Sequence, residues 1–278
     1  MSATSSTLPA FRTLQLSLAG GIARIVLNRP EKANAINLAM WQELRRAMQW
    51  LQHTAEARVG ILSAAGAHFS AGLDLASFDE LQQATRDDCD GRAREKLLAA
   101  ILDIQDTVTA IERCHKPVIA EVHAACVGGG IDIITACDLR YCSAQAWFCV
   151  KEIDVGLVAD VGTLQRLPLL IGEGMARELC YSGRRVEGAE AQTIRLVNRC
   201  YDDAAALRQG VEEMARCLAA KSPLALRGTK QAITHAREHS IADGLQQVAL
   251  WNAAMLFSND LREVQQARSA GRAPRFAD

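Results

Sequence analysis

The stretch Pro117–Asp138 reads PVIAEVHAACVGGGIDIITACD, and its order of residue types decides the architecture. Pro117–Val122 is a short apolar run with β-branched residues, which predicts a buried strand. The glycines Gly128, Gly129 and Gly130 form a loop, and the apolar run from Ile131 opens a helix. Strand, small-residue loop and helix in that order is the unit of an α/β fold with mainly parallel strands.

The same unit recurs upstream. Val59–Leu62 predicts a short buried strand, followed by the loop Ser70-Ala71-Gly72-Leu73-Asp74. Further back, Leu14, Leu16 and Leu18 alternate with polar residues, Gly20-Gly21 marks a turn, and Ala23, Ile25 and Leu27 alternate again. That pattern predicts a hairpin. Asn37 is placed to cap a helix with Met40, Leu44, Met48 and Leu51 on one face.

Downstream the pattern becomes helical. Ala204–Ala220 has helical periodicity, and Ser222-Pro223 supplies a cap and a first-turn proline for a helix running to about His235. Ser240 caps another, with Leu245, Val248, Asn252 and Met255 along one side. No strand pattern follows Tyr201. A core over 11–205 and a helical region over 206–278 are the expected divisions.

Composition narrows the function classes. The chain has 278 residues, enough for one large domain or a core with an appendage. Thirty-one Lys and Arg stand against 32 Asp and Glu, a net charge of −1, so no basic excess exists for a general nucleic-acid footprint. The nine cysteines are odd in number and none form Cys-x-x-Cys, which predicts buried reduced thiols at positions such as Cys126, Cys137, Cys149 and Cys180. The opening Met1–Ala10 is rich in Ser and Thr and lacks the arginines of a transit peptide. The ending is not Ser-Lys-Leu, and no apolar run reaches membrane-spanning length. A cytoplasmic protein with no membrane segment is the expectation.

Several motifs are set aside. His235-Ala-Arg-Glu-His239 matches a zinc-protease spacing, but it lies where a helix should end, and histidines there interact favourably with the helix dipole. No Gly-x-Ser-x-Gly elbow, phosphate-binding lysine loop or dinucleotide fingerprint occurs. No metal site is expected.

Two small-residue loops, each after a strand, let backbone N–H groups approach a ligand oxygen closely. One N–H from each, converging on a thioester carbonyl, would form an oxyanion hole that stabilises an enolate. Asp132 sits in the first helical turn after the glycines, while Glu152 and Asp160 occur among Phe148, Val150, Ile153, Val155, Leu157 and Val158. A carboxyl in apolar surroundings has a raised pKa and carries a proton near neutrality, while a neighbour stays ionised as base.

The segments Lys32–Ala35, Phe69–Asp74, Pro117–Asp138 and Lys151–Pro168 resemble the enoyl-CoA hydratase/isomerase (crotonase) family, in one consistent order over about 20–235. The resemblance implies a crotonase-like ββα superhelix core and a C-terminal helical oligomerisation region supporting homotrimers or homohexamers. It further implies that Ala71 and Gly129 donate the oxyanion N–H groups, with Gly130 lining that loop. Ser70, Gly72, Leu73 and Asp74 would border the acyl-CoA thioester, and Lys32 and Ala33 would lie near the CoA phosphates and adenine. Hydratases of the family carry glutamates where Asp132 and Glu152 stand and a small residue where Asp160 stands. The run Lys151–Pro168, with Tyr141-Cys142, resembles Δ3,5-Δ2,4-dienoyl-CoA isomerases of the family.

The resemblance therefore implies an isomerase of fatty acid β-oxidation that moves two conjugated double bonds toward the thioester, losing a proton at C2 and gaining one at C6. One carboxylate near C2 does not easily reach C6, so two separated acids are useful. Glu152 is assigned to C2 and Asp160 to C6, an assignment open to exchange, with Asp132 tuning both electrostatically. No cofactor is needed, since coenzyme A is part of the substrate. The competing readings are a 2-enoyl-CoA hydratase using Asp132 and Glu152, and a non-catalytic RNA- or CoA-binding protein on the same scaffold.

Overall fold

The structure is a computed structural model and describes residues 8–278; most of the Ser/Thr-rich opening lies outside the described residues. The hairpin forms as expected. Strands β1 (Leu14–Ala19) and β2 (Ile22–Leu27) pair antiparallel with Leu16 opposite Ile25. Gly20 and Gly21 both take positive φ, 57° and 79°, which the two-residue turn requires. The Asn37 side chain caps α1 (Leu38–His53) by accepting from the Met40 N–H at 2.9 Å. The helix buries Met40, Leu44, Met48 and Leu51, the four residues of the predicted face.

The chain then winds repeatedly through two layers. Strand β3 (Val59–Ala64) leads through the first small-residue loop to α2 (Ala76–Ala84) and the long α3 (Asp90–Arg113). Strand β4 (Val118–Val122), the short β5 (Ala125–Val127) and α4 (Gly129–Ala136) make the next turn. Strands β6 (Leu139–Ser143) and β7 (Trp147–Cys149) follow, then a 3-10 turn at Glu152–Val155, α5 (Thr163–Ile171) and α6 (Glu173–Ser182). Strand β8 (Val186–Glu187), α7 (Gly188–Thr193) and β9 (Arg199–Tyr201) close the core. The first layer is a six-stranded sheet in the order β1-β2-β3-β4-β6-β9, parallel from β2 onward. The second holds β5-β7-β8, and the isolated parallel bridges Ile36–Leu73 and Ser70–Cys126 carry it back to earlier turns. The second layer holds the loops in register above the first. This is the ββα superhelix.

The remaining helices are α8 (Ala204–Ala219), α9 (Pro223–His235), α10 (Ile241–Met255) and α11 (Asn259–Ser269). Asp203, Ser222, Ser240 and Ser258 cap them with side-chain oxygens. A division at residue 205 runs just inside α8. Leu207, Val211 and Ala215 of that helix pack on Val59, Ile61, Ile119 and Tyr141, so α8 covers the outer face of the first sheet. In contrast, α10 buries none of its residues in the protomer, and Ile241, Leu245 and Leu250 of its length are exposed. Five of the nine free cysteines are buried, Cys126, Cys137 and Cys149 among them, while Cys180 is half-buried.

Candidate active site

The two small-residue loops meet at their glycines. Gly72 has φ 92°, and a Cβ there would lie 3.0 Å from the Val127 carbonyl oxygen and 3.6 Å from Gly128 Cα. Gly128 has φ 50°, and a Cβ there would lie 3.7 Å from Gly72 Cα and 3.1 Å from Glu152 Oε1. Positive φ and close backbone approach both exclude a side chain. Around the glycines, Ser70 N–H donates to Ala125 O at 2.9 Å and Val127 N–H donates to Ser70 O at 3.0 Å. The bridge fixes the loops against each other before any ligand arrives.

An inventory of N–H groups corrects one sequence assignment. Ala71 N–H donates to Ala33 O at 2.9 Å, so it is consumed by the scaffold. Ser70 N–H is used as above, Gly72 N–H donates to Ser70 Oγ at 3.1 Å, and Asp74 N–H donates to Ile36 O at 3.0 Å. Among the described residues Leu73 N–H has no acceptor, and it lies next to Gly72 where the loops touch. In the second loop, Gly128 N–H donates to Cys149 O, while Ile131 and Asp132 N–H both turn back to Gly128 O. The N–H groups of Gly129 and Gly130, in the first turn of α4, are left without acceptors among the described residues. Leu73 thus takes the place of Ala71 as the free donor of the first loop, with Gly129 and Gly130 free in the second.

The acids form one cluster. Asp132 is 1% exposed, and its Oδ1 accepts from the Thr163 backbone N–H at 2.7 Å. Burial raises its pKa to about 7; the hydrogen bonding from Thr163 opposes the rise, and the Glu152 and Asp160 carboxylates add to it. Glu152 stands at the start of the 3-10 turn, with Oε1 toward Gly128 and a buried Oε2 that has no hydrogen-bond partner. Burial raises its pKa as well, and the Asp160 charge adds to the rise. Asp160 is exposed at the protomer surface, yet the surrounding chain crowds its carboxyl enough to raise its pKa. The Asp160 charge raises the pKa of both Asp132 and Glu152, so the three predicted acids lie within electrostatic reach of one another.

Their surroundings differ from the sequence reading in one respect. Phe148 and Val150 are buried, but Ile153, Val155, Leu157 and Val158 lie exposed on the surface, the last at 74%. The apolar residues of this segment form a rim beside the acids rather than a core around them.

Other candidate residues act mainly on the scaffold. Ser70 is fully buried and its hydroxyl donates to Asn34 O at 3.0 Å, so its side chain does not border a ligand. Asp74 pairs with Arg29 at 2.9 Å; burial alone would raise its pKa, but the Arg29 hydrogen bond and charge hold it below the ordinary value. Gly130 is buried where a Cβ would lie 3.2 Å from Cys126 Sγ and from Ser70 Cβ, a packing position. Ala33 takes φ 48° and offers its carbonyl to Ala71. Lys32 ends an exposed 3-10 turn beside it. Two residues were missed by sequence reasoning. Thr163 binds Asp132, and Gln105 of α3 donates its amide to the Asp160 carbonyl at 2.6 Å. Both contacts join residues far apart in sequence, and neither belongs to a local motif. His235 and His239 stack at 3.6 Å with His239 Nδ1 against the His235 carbonyl, and no metal-binding cluster occurs among the described residues.

Comparison with known proteins adds a second line. Residues 17–276 match the protein family described as Enoyl-CoA hydratase/isomerase. A relative from Arabidopsis thaliana, named peroxisomal Delta(3,5)-Delta(2,4)-dienoyl-CoA isomerase, is 42% identical over 275 residues, covering 98% of this chain and 99% of its own. The mitochondrial protein of that name from Homo sapiens is 42% identical over 248 residues, covering 88% of this chain and 75% of its own. Among solved structures, the enoyl-CoA hydratase of Bacillus anthracis aligns with a TM-score of 0.86 at 30% identity, covering 96% of this chain and 99% of that one.

Proposed function

This chain belongs to the enoyl-CoA hydratase/isomerase family, and we propose that within it the protein is an isomerase converting a 3,5-dienoyl-CoA into the 2,4-dienoyl-CoA during fatty acid β-oxidation. The observation that carries the reading is the third acid. The Asp160 charge acts on Glu152 and Asp132, in a site whose two loops offer free backbone donors at Leu73 and Gly129. Two carboxyl groups suffice to add water across a 2,3 double bond; transposing a conjugated pair needs proton transfer at two distant carbons. Both relatives named above bear the isomerase name.

In this reading Leu73 and Gly129 N–H hold the thioester oxygen as it gains charge, a contribution of roughly 10²–10³ in rate for each such donor. Glu152, whose Oε1 abuts the Gly128 loop, takes the proton from C2 next to that carbonyl. Electrons shift along the chain, and Asp160 delivers a proton to C6. Asp132 keeps a proton near neutrality and limits the negative charge on the other two. The exposed apolar rim of Val155, Leu157 and Val158 offers the acyl chain a surface. Lys32 at the edge of the site is a partner for CoA phosphate, and the reaction needs no metal or redox cofactor.

The exposed apolar side chains of α10 support a homotrimer or homohexamer built through the C-terminal helices over 206–278. No helix among the described residues is long and apolar enough to cross a membrane. The cytoplasm is the compartment we propose, and subcellular fractionation decides between it and the organelles named for the two relatives.

The test mixes purified protein with a 3,5-dienoyl-CoA and follows the ultraviolet absorbance of the conjugated 2,4-dienoyl thioester. A fast rise that Asp160→Asn abolishes is the expected result. No rise, alongside rapid hydration of a 2-enoyl-CoA, makes the protein a hydratase. Salt-sensitive RNA binding with no turnover of either thioester makes it a binding protein.

A further inference from the structure

Each turnover of the proposed reaction leaves Glu152 with one proton more and Asp160 with one fewer. Before the next turnover Asp160 must regain a proton, either from Glu152 through the site or from solvent by another route. The geometry around the two acids differs. Glu152 has a buried Oε2 without a partner, and Asp132 beside it is 1% exposed. Asp160 instead forms part of the wall of a cavity of about 530 Å³ between α3, α5 and the end of α9, whose lining includes neither Glu152 nor Asp132, Leu73 or Gly129. Its wall sets polar groups, among them Gln105, Glu112, Arg166, Thr234 and Arg237, beside Val161 and Leu169. The space is far larger than a single water requires.

The wall is also held rigid. Glu112 accepts from Arg166 at 2.9 Å and pairs with Arg237, which joins α3 to α5 and to the segment after α9. Gln105 donates to the Asp160 carbonyl at 2.6 Å and fixes the acid's backbone to α3. An apolar acyl chain gains little against the charged part of this wall, two arginines and two glutamates, because their desolvation is costly. Water gains several partners there.

We propose that this cavity is the route by which solvent water reprotonates Asp160 after each turnover, separate from the acyl site in which Glu152 collects the C2 proton. The step balances. Water gives a proton to the Asp160 carboxylate, hydroxide is neutralised in bulk, and the Glu152 proton is released independently. The inference rests on the dienoyl isomerase reading, and its tests separate the two.

In deuterium oxide, with saturating protiated 3,5-dienoyl-CoA over many turnovers, nearly every product molecule should carry deuterium at C6. Protium at C6 in most molecules, at normal turnover, means that Glu152 hands its proton to Asp160 internally; that overturns the route and leaves the isomerase reading intact. No 2,4-dienoyl product at all overturns both. Filling the cavity with Thr234→Leu, or independently with Thr109→Leu, should leave the first turnover unchanged and slow later ones about tenfold, so that product appears in a burst of one equivalent per site. Slowing of the first turnover as much as the later ones in both variants would show that the cavity serves substrate or structure, and would overturn the proposal.

Discussion

Asp132 Oδ1 accepts a hydrogen bond from the Thr163 N–H at 2.7 Å, so the carboxyl group on α4 caps the helix that begins three residues after Asp160. The acid nearest the core thus holds the loop carrying the acid nearest the surface.

Replacing Asp132 with Asn separates the two roles of that carboxyl. The amide oxygen still accepts from Thr163, while the titrating charge is removed. In the native state burial raises the Asp132 pKa to about 7 from an ordinary 3.8. Between those values the unfolded chain has released its proton and the native chain has kept it, so this group's contribution to stability is full below about pH 4 and is lost as pH rises through 7. Asp132→Asn lacks that loss. It should be more stable than the parent at pH 8, by at most about 4 kcal/mol, and the difference should vanish toward pH 4. Urea unfolding across that range measures it; a constant difference at every pH would mean the charge plays no part.

Asn34 carries the tightest set of contacts near the first loop. It is fully buried at φ 53°, accepts from Arg29 N–H at 2.8 Å, and donates to Ala65 O at 2.7 Å and His68 O at 2.8 Å. Asn34→Ala strands all three partners, which should cost about 2–4 kcal/mol of unfolding free energy. Chemical denaturation reads it directly. A loss below 0.5 kcal/mol, on the order of an ordinary surface change, would show that water replaces the amide.

The sequence reading placed Lys32 and Ala33 beside the ligand, and the structure shows that Asn34, next to them, is tied into the interior. The difference has a physical cause. Strand alternation, helix faces and caps are local patterns, so the hairpin, α1, α8, α9 and α10 were legible residue by residue, while α11 was not read. The three acids were legible too, because charge amid apolar neighbours is visible in one dimension. Which N–H is free is not local. Ala71 and Leu73 differ only in whether a carbonyl from Ala33 reaches them, which the fold decides. Helix α3 escaped for a related reason. It buries only Thr107, Val108 and Ile111 of its 24 residues while Leu97, Leu98 and Leu102 stay in solvent, so its apolar pattern does not mark a core face.

Gly72→Ala tests the donor assignment. The new Cβ would lie 3.0 Å from Val127 O at a φ of 92°, and relief must move the first loop away from the second. Leu73 N–H would then lose its aim at the thioester oxygen. A fall of about 10²-fold in kcat with KM changed little is expected. Steady-state kinetics with a 3,5-dienoyl-CoA provide the check, and unchanged kcat in a folded variant would remove Leu73 from the site.

The exposed side chains of α10 predict assembly. Leu245→Glu places a charge on a helix whose Leu245 and Ile241 are 66% and 85% exposed in the protomer. If copies pack through this helix, the variant should lower the mass seen by light scattering while leaving the circular dichroism spectrum unchanged. An unaltered mass would put the contact elsewhere.

The division of labour between Glu152 and Asp160 is open to a direct isotope test. If Glu152 serves C2 and Asp160 serves C6, Asp160→Asn still allows enolate formation beside Leu73 and Gly129 but blocks protonation at the far end. Unreacted 3,5-dienoyl-CoA recovered from deuterium oxide should then carry deuterium at C2, while isomerisation falls by about 10²–10⁴-fold. Glu152→Gln should lose both exchange and isomerisation, because the proton at C2 has no acceptor. The opposite pattern, with exchange kept in Glu152→Gln and lost in Asp160→Asn, would reverse the two roles. Mass spectrometry of the recovered thioester reads both variants in one experiment. The position of Glu152 Oε1 against Gly128, beside the carbonyl end of the substrate, is what favours the first pattern.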